Sequence, residues 1–417
     1  MSFYVDSFTR NVSDERPLVK VLVLDHAKVV DVNDKGAILE NYMIVLEGGQ
    51  VSYVGKSGSV PAPKGCDYID CKGRTVIPGL IEGHAHVSGL PDTITVLRKS
   101  LQRGITTVAS VGANIEGIEA RNDIEAGKVR GCASIIAGCV VSPTFGHVRY
   151  RTADGPWEVR KAVREMVMAG ADFIKTAASG GFWAKDEKCS VRNYTFEELE
   201  ALSDESHAWG RPCVVHAHTQ PGVNNSIAAG IDQIHHGCFI DEEGIRGIKE
   251  KDLWFMPTLR VTTDRNINLW TDRPWQMEEM RKSQRNHREM VKLAHEIGVK
   301  IAFGTDYPGS VRGWQQSPYK TGDASMVEIQ ELQSCGMSPL ECLISATRVT
   351  AEAYRKYDEF GSIDVGKKAD LVVAFEDPTV DVKNLYDYKN IAVVIKAGRV
   401  EYAAGEYTKF YAISDFE

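Results

Sequence analysis

The sequence predicts a mixed α/β protein: a (β/α)8 barrel joined to a small sheet domain made from the two ends of the chain. Three observations carry this expectation. Both ends are strand-like, and the middle alternates short apolar segments with helical patterns. About eight strand–helix units fit into that middle, which is the number a barrel of roughly 250 residues requires.

The first part contains "KVLVLDHAKVVDV", "ENYMIVLEGGQVSYVG" and "DYIDCKGRTVIPG". These runs are rich in β-branched residues and broken by Gly, Asn and Asp turn signals, so they read as strands. The last part, with "GSIDVGKKADLVVAF" and "AVVIKAGRVEYAAGEY", repeats the texture. Residues 1–77 and 358–417 are therefore expected to meet in one sheet domain, around a barrel of residues 78–357. In the middle, "TVIPGLIEGHAHV", "TVASVG", "ASIIAG", "DFIKTA", "PCVVHAH", "IDQIHHG", "LWFMPTL" and "KIAFGTD" are the strand candidates. Between them, "WEVRKAVREMVMAG", "TFEELEALSDESHAWG" and "RNHREMVKLAHEIG" place apolar residues three and four apart, as helices do. A doubly wound open sheet is the competing architecture. No glycine-rich phosphate loop follows any of these strands, which argues against a nucleotide-binding version of it.

Composition narrows the function. The chain of 417 residues carries 57 acidic and 49 basic side chains, a net charge of -8, which argues against nucleic acid as the main partner. Its nine cysteines are scattered and form no CxxC pair, so a reducing, cytoplasmic setting is expected rather than a disulfide framework. The segment "MSFYVDSFTRNVSDERP" does not read as a signal peptide, and no apolar run approaches the roughly 20 residues that span a bilayer.

The chemistry gathers at strand ends. His84 and His86 lie two apart in "GLIEGHAHV", so on a strand both imidazoles project to one face and can reach one cation. Lys175 ends "DFIKTA", His216 and His218 end "CVVHAHT", His235 and His236 end "IDQIHHG", and Asp306 ends "IAFGTD". In a barrel these carboxyl ends converge on the face where active sites are built. Lys175 raises a question of its own, because an isolated ammonium in an apolar run is costly to remove from water. Spacing leaves His216 and His218 equivalent. His235 and His236 are adjacent, so on a regular strand only one of them faces the interior.

"PGLIEGHAHV", "DFIKTAASGG", "VVHAHT", "IDQIHHG" and "FGTD", in this order, resemble the amidohydrolase superfamily, and the similarity extends over nearly the whole chain. The C-terminal "GSIDVGKKADLVVAFEDP" is similar to the family's return into a β-sandwich, so the resemblance implies that form for the terminal sheet domain. It also implies a metal-dependent hydrolase with two divalent ions, usually zinc. It would assign His84, His86 and Asp306 to the first metal and His216 and His236 to the second. Lys175 would be an N6-carboxylysine bridging the two, and Asp306 the general base and acid. His236 is chosen over His235 because the family ligand directly precedes the glycine, and His218 is left for the substrate.

Within the superfamily, single-metal deaminases lack the bridging lysine and carry a glutamate where this chain has Thr219. The segments Ile174–Gly181 and His216–Gly237 are instead similar to prolidase-like, carboxypeptidase-like and imidazolonepropionase-related members. The resemblance thus implies cleavage of the amide of a dipeptide or N-acyl amino acid, with ochratoxin-type toxin amides as one variant. A lactonase or cyclic-amide hydrolase is the alternative, and a non-catalytic binding protein a third reading. A substrate carboxylate needs cations or donors: His147, Arg149, His218 and Arg260 are the candidates. Val148 stands where the family usually has a glycine. The aromatic segment 307–322 either closes over the site or contacts a second subunit, since homo-oligomers are common in the family.

Overall fold

The computed structural model describes residues 21–410, apart from 88–91, 113–114, 132, 149, 183, 308–322 and 386–387. Two sheets organise the chain. The first holds strands β1 (Val21–Asp31), β2 (Ala37–Glu47), β3 (Gln50–Lys56), β4 (Asp67–Asp70) and β5 (Thr75–Pro78). The second is wholly parallel and holds β6 (Leu80–Ala85), β7 (Ile105–Ser110), β8 (Ser134–Ser142), β9 (Arg151–Thr152) and β10 (Phe173–Ala177). It continues through β11 (Cys213–Ala217), β12 (Gln233–His236), β13 (Trp254–Met256) and β14 (Lys300–Ile301). The chain then returns to the first sheet as β15 (Leu371–Ala374), β16 (Ile391–Lys396) and β17 (Arg399–Ala403).

The first sheet runs β17-β16-β15-β5-β1-β2-β3, with β4 added beside β1. Its two halves join where β15 pairs antiparallel with β5, Leu371 opposite Pro78. The sandwich expected from the sequence is therefore hydrogen-bonded as one continuous sheet. Residues 1–20 and 411–417 lie outside the described residues.

The helices expected between the parallel strands are present at Pro156–Ala169, Phe196–Ala208 and Pro274–Glu296. The first starts with proline in its opening turn and stops at Gly170, whose φ of 99° a side chain would resist. The second opens with a reciprocal capping box between Thr195 and Glu198. Their apolar faces pack on the outward residues of the strands: Val159 and Ala162 share a buried cluster with Ile174, Val215 and Ile234. Among the described residues, no helix is long and apolar enough to cross a membrane.

The alternate residues point inward. Ile81, Ile136, Phe173, Val214 and Met256 form a separate buried cluster with Tyr354 and Phe360. Gly138 makes room for it: a Cβ there would sit 2.0 Å from the Phe173 ring. Lys175 lies two residues beyond Phe173, and His216 two beyond Val214, so the period of the strands carries both onto the inner face at the carboxyl ends.

The parallel sheet curls through β6 to β14, but among the described residues regular pairing does not continue from the last strand to the first. Instead Gly83 N–H donates to the Phe303 carbonyl at 3.0 Å and Asp306 N–H to the His84 carbonyl at 2.7 Å, with one isolated bridge between Ala85 and Tyr307. The closed barrel of the sequence expectation is thus met as a curled parallel sheet. The physical reason is local: β14 is two residues long, and Asp306 takes a φ of 58°, which ends an extended strand.

Candidate metal and substrate site

Four strand ends bring their polar residues together. Asp306 Oδ1 lies 3.0 Å from His86 Nε2 and 3.4 Å from His84 Nε2. His84, His236 and Asp306 each offer one ligand-type atom, all within 4.8 Å of one another. The His216 ring lies 4.5 Å from His236 and 4.4 Å from His218, centroid to centroid.

Lys175 stands among them. It is buried, and its Nζ has no hydrogen-bond partner among the described residues. Burial pulls its pKa down to about 7, against a smaller opposing pull from Asp306. A free amine is therefore populated at neutral pH. Burial, reinforced by the charge of Lys175, also holds His84 and His235 well below the ordinary histidine value. His216 and His236 are pushed the same way, by burial first and neighbouring imidazoles next. Neutral imidazoles are what a metal site needs. Asp306 is held below the usual carboxylate range, the hydrogen bond from His86 and nearby cations outweighing burial.

His235 corrects one expectation. On a regular strand it and His236 should face opposite ways, yet both rings have centroids 4.8 Å from that of His84. The cause is His236, whose φ of 73° breaks the alternation and swings its side chain inward, where Nδ1 meets Thr258 Oγ1 at 2.8 Å. His235 keeps the inward direction and meets His84, Nδ1 to Nδ1, at 2.7 Å.

That contact assigns protons. Gln233 Nε2 donates to the Ala353 carbonyl, so Gln233 Oε1 is left as an acceptor, 3.1 Å from His235 Nε2. His235 Nε2–H fills it, and a neutral His235 then accepts at Nδ1 from His84 Nδ1–H. His84 consequently presents an unprotonated Nε2 toward Asp306, the form that binds a cation. The residues present thus suit a divalent metal, and sequence reading had no signal for the part played by His235 or Gln233.

Two buried carboxylates brace the same strand ends. Glu82 accepts from the backbone N–H groups of His84 and Thr305 and from Ser325 Oγ, and burial raises its pKa to about 7. Glu328 accepts from the N–H groups of Leu259 and Arg260. Neither stands out in the sequence, because a lone glutamate in an apolar run has no periodic signature.

The substrate candidates divide. His147 stacks on His216 with centroids 3.9 Å apart, and its Nδ1 is hydrogen-bonded to Glu187, a residue the sequence reading missed. Glu187 also accepts from Gly181 N–H, tying the His147 loop to the glycine-rich loop after β10. His218 is buried, with neither ring nitrogen hydrogen-bonded among the described residues, and Phe182 packs on it at 4.7 Å. Arg260 is buried and engaged inside the protein: it donates to the carbonyls of Thr305 (2.8 Å) and Asp306 (2.9 Å) and to Asn266 Oδ1 (2.7 Å). Its placement fixes the Asp306 backbone. Arg149 and 308–322, hence nearly all of the aromatic segment, lie outside the described residues.

A curled parallel sheet with histidines, a lysine and an aspartate at its carboxyl ends defines a class of hydrolase. Residues 75–400 match the Amidohydrolase family, and the chain belongs to it. It is a hydrolase acting on C–N bonds, in a family that is generally metal-dependent. Ochratoxinase from Aspergillus niger is 25% identical over 447 aligned positions, covering 92% of this chain and 89% of that protein. Imidazolonepropionase from Nocardia farcinica is 24% identical, covering 79% of this chain and 84% of the relative. A Xaa-Pro dipeptidase solved with methionine in its active site superposes with a TM-score of 0.80 at 28% identity, covering 92% and 100% of the two chains. A prolidase complexed with N-methylphosphonate-L-proline gives 0.81 at 26% identity, over 91% and 99%.

Proposed function

We propose that this protein cleaves the amide bond of a dipeptide or N-acyl amino acid and releases a free amino acid. The observation that carries the reading is Lys175, a buried amine with no hydrogen-bond partner among the described residues, set amid four neutral imidazoles and a carboxylate. His84, His86 and Asp306 would hold one divalent ion and His216 and His236 a second, zinc being the expected metal. Lys175 would bridge them as a carbamate. Its free amine would attack carbon dioxide, forming an N–C bond and releasing one proton to solvent, so a group that is costly to bury as a cation would become an anion suited to hold divalent ions. When bound, such ions supply Lewis acidity and hydroxide at neutral pH.

The remaining chemistry belongs to the protein. Asp306, ionised at neutral pH, takes a proton from the attacking water and returns it to the amide nitrogen as the C–N bond breaks. Arg260 holds the Asp306 carbonyl and so fixes the carboxylate's direction. His147, oriented by Glu187, and His218 would receive the substrate's carboxylate and acyl portion, with Arg149 as a further cation. Likeness to ochratoxinase and to a Xaa-Pro dipeptidase supports an amide next to a free carboxylate. An ochratoxin-type amide is one such substrate; a lactone or cyclic amide is the alternative on the same site. The reading includes a (β/α)8 barrel over residues 78–357, a β-sandwich unit from 1–77 and 358–417, a cytoplasmic setting and a homo-oligomer.

A panel of dipeptides, N-acyl amino acids, cyclic amides and lactones tests it. Release of an amino acid from at least one linear amide is expected. Turnover confined to lactones or cyclic amides would move the assignment to the alternative.

A further inference from the structure

The opposite end of the parallel sheet carries a second cluster of metal-binding residue types. His207 sits in the last turn of the helix Phe196–Ala208, Cys213 opens β11, and Asp232 immediately precedes β12. Asp232 Oδ2 lies 2.7 Å from His207 Nε2 and 3.2 Å from Cys213 Sγ, and that sulfur is 3.7 Å from His207 Nε2. The three atoms converge on one point. A tetrahedral zinc with one sulfur, one nitrogen and one oxygen ligand separates sulfur from the other two by about 3.6 Å and nitrogen from oxygen by about 3.4 Å. The sulfur distances are already close to these values. The short nitrogen–oxygen distance opens by rotation of His207, which is the solvent-exposed member of the three.

We propose that His207, Cys213 and Asp232 form a second, cysteine-containing site for a soft divalent cation such as zinc, separate from the hydrolytic face. The choice of donors supports it: thiolate and imidazole favour zinc over magnesium or calcium. Arg355 pairs with Asp232 through Oδ1 at 3.0 Å and the Cys213 N–H donates to Oδ2 at 2.7 Å, so the carboxylate is held in place with Oδ2 toward the other two donors. Binding removes one proton from the Cys213 thiol to solvent, and the His207 proton shifts to Nδ1 so that Nε2 carries the lone pair. The exposed side of His207 leaves a fourth position for water. Two anions, one arginine and the dication give a local charge of about +1, which a hydroxide or a small anion would complete. The inference stands on these residues alone and does not depend on the reading of the opposite face.

The test is cobalt(II) titration of the full-length protein, followed by near-ultraviolet absorption. None of the ligands assigned to the hydrolytic face is a cysteine, so a thiolate-to-cobalt charge-transfer band reports on this site. The band is expected in the wild type and absent in Cys213→Ser. His207→Gln, a surface change that spares the fold, is expected to weaken the cobalt dependence of the band by at least about tenfold. Added zinc should bleach the band. A wild type with no such band, or a band unchanged in Cys213→Ser or His207→Gln, would overturn the proposal. Amide hydrolysis in either variant is expected to stay near the wild-type rate, so failure here and failure on the hydrolytic face are separable.

Discussion

Each sheet of this protein buries one lysine, and the two are treated oppositely. Lys396, at the end of β16, meets Asp370 at 2.5 Å, and Asp370 also accepts from Ala397 N–H. Lys175, on β10, has no hydrogen-bond partner among the described residues, although it is buried as deeply. In the first sheet the charge is neutralised by a carboxylate fixed by the backbone. In the parallel sheet no carboxylate reaches Lys175 Nζ within hydrogen-bond distance among the described residues; neutral imidazoles surround it, and the pull of Asp306 is smaller than the cost of burial. An unsatisfied buried ammonium is tolerated only if it is not an ammonium in the working protein. Under the proposed function, the contrast separates a lysine that serves the fold from one that serves the site.

Removing each lysine should therefore have opposite signatures. Lys175→Ala is expected to lower kcat/KM by at least about 1,000-fold, a loss of about 4 kcal/mol of transition-state stabilisation. Activity within about tenfold of wild type would remove Lys175 from the mechanism. Lys396→Met should leave hydrolysis intact where the protein is folded but destabilise it by about 3–5 kcal/mol, because Asp370 is left buried and unpaired. Urea denaturation measures this directly.

The sharpest form of the comparison uses metal-free protein. There Lys175→Met is expected to stabilise, by up to about 4 kcal/mol at pH 7, since it removes an amine that must lose its proton on burial. The sign follows from linkage. The unfolded lysine titrates near 10.5 and the folded one near 7, so between those values the unfolded state binds more protons and wild-type stability rises with pH. Lys175→Met should abolish that rise, and an unchanged slope would show that burial does not govern Lys175. A smaller effect is expected for His235→Phe, which removes the acceptor of His84 Nδ1–H without touching an assigned ligand. Metal affinity should fall about 10–100-fold, read by competition with a chromophoric chelator.

Much of this was legible in the sequence because it depends on period. Strand alternation carries Lys175 and His216 to the inner face behind Phe173 and Val214, and helical spacing marks the covering helices. What was not legible depends on backbone departures and on distant partners. The positive φ of His236 turns two adjacent histidines inward, and no propensity for it is visible in "IHHG". Arg260 looked like a cation for the substrate, but its role is set by the carbonyls of Thr305 and Asp306, more than 40 positions away. Glu187, Glu82 and Gln233 act through hydrogen bonds to residues scattered along the chain, which leave no periodic pattern. The barrel was read from a count of strand–helix units and the terminal sheet domain from the strand-like texture of both ends, and neither fixes which strand edges pair.

The central claim is that the carboxyl ends of β6, β10, β11 and β12, with Asp306, form a metal-dependent amide-hydrolysing site. The measurement closest to it is the rate of amino-acid release from an N-acyl amino acid or dipeptide substrate, followed through metal removal by a chelator and metal return. The account predicts activity that disappears with the metal and returns with zinc or another divalent ion, and that returns in neither Lys175→Ala nor His236→Ala. Hydrolysis undiminished after the metal has been removed would contradict it.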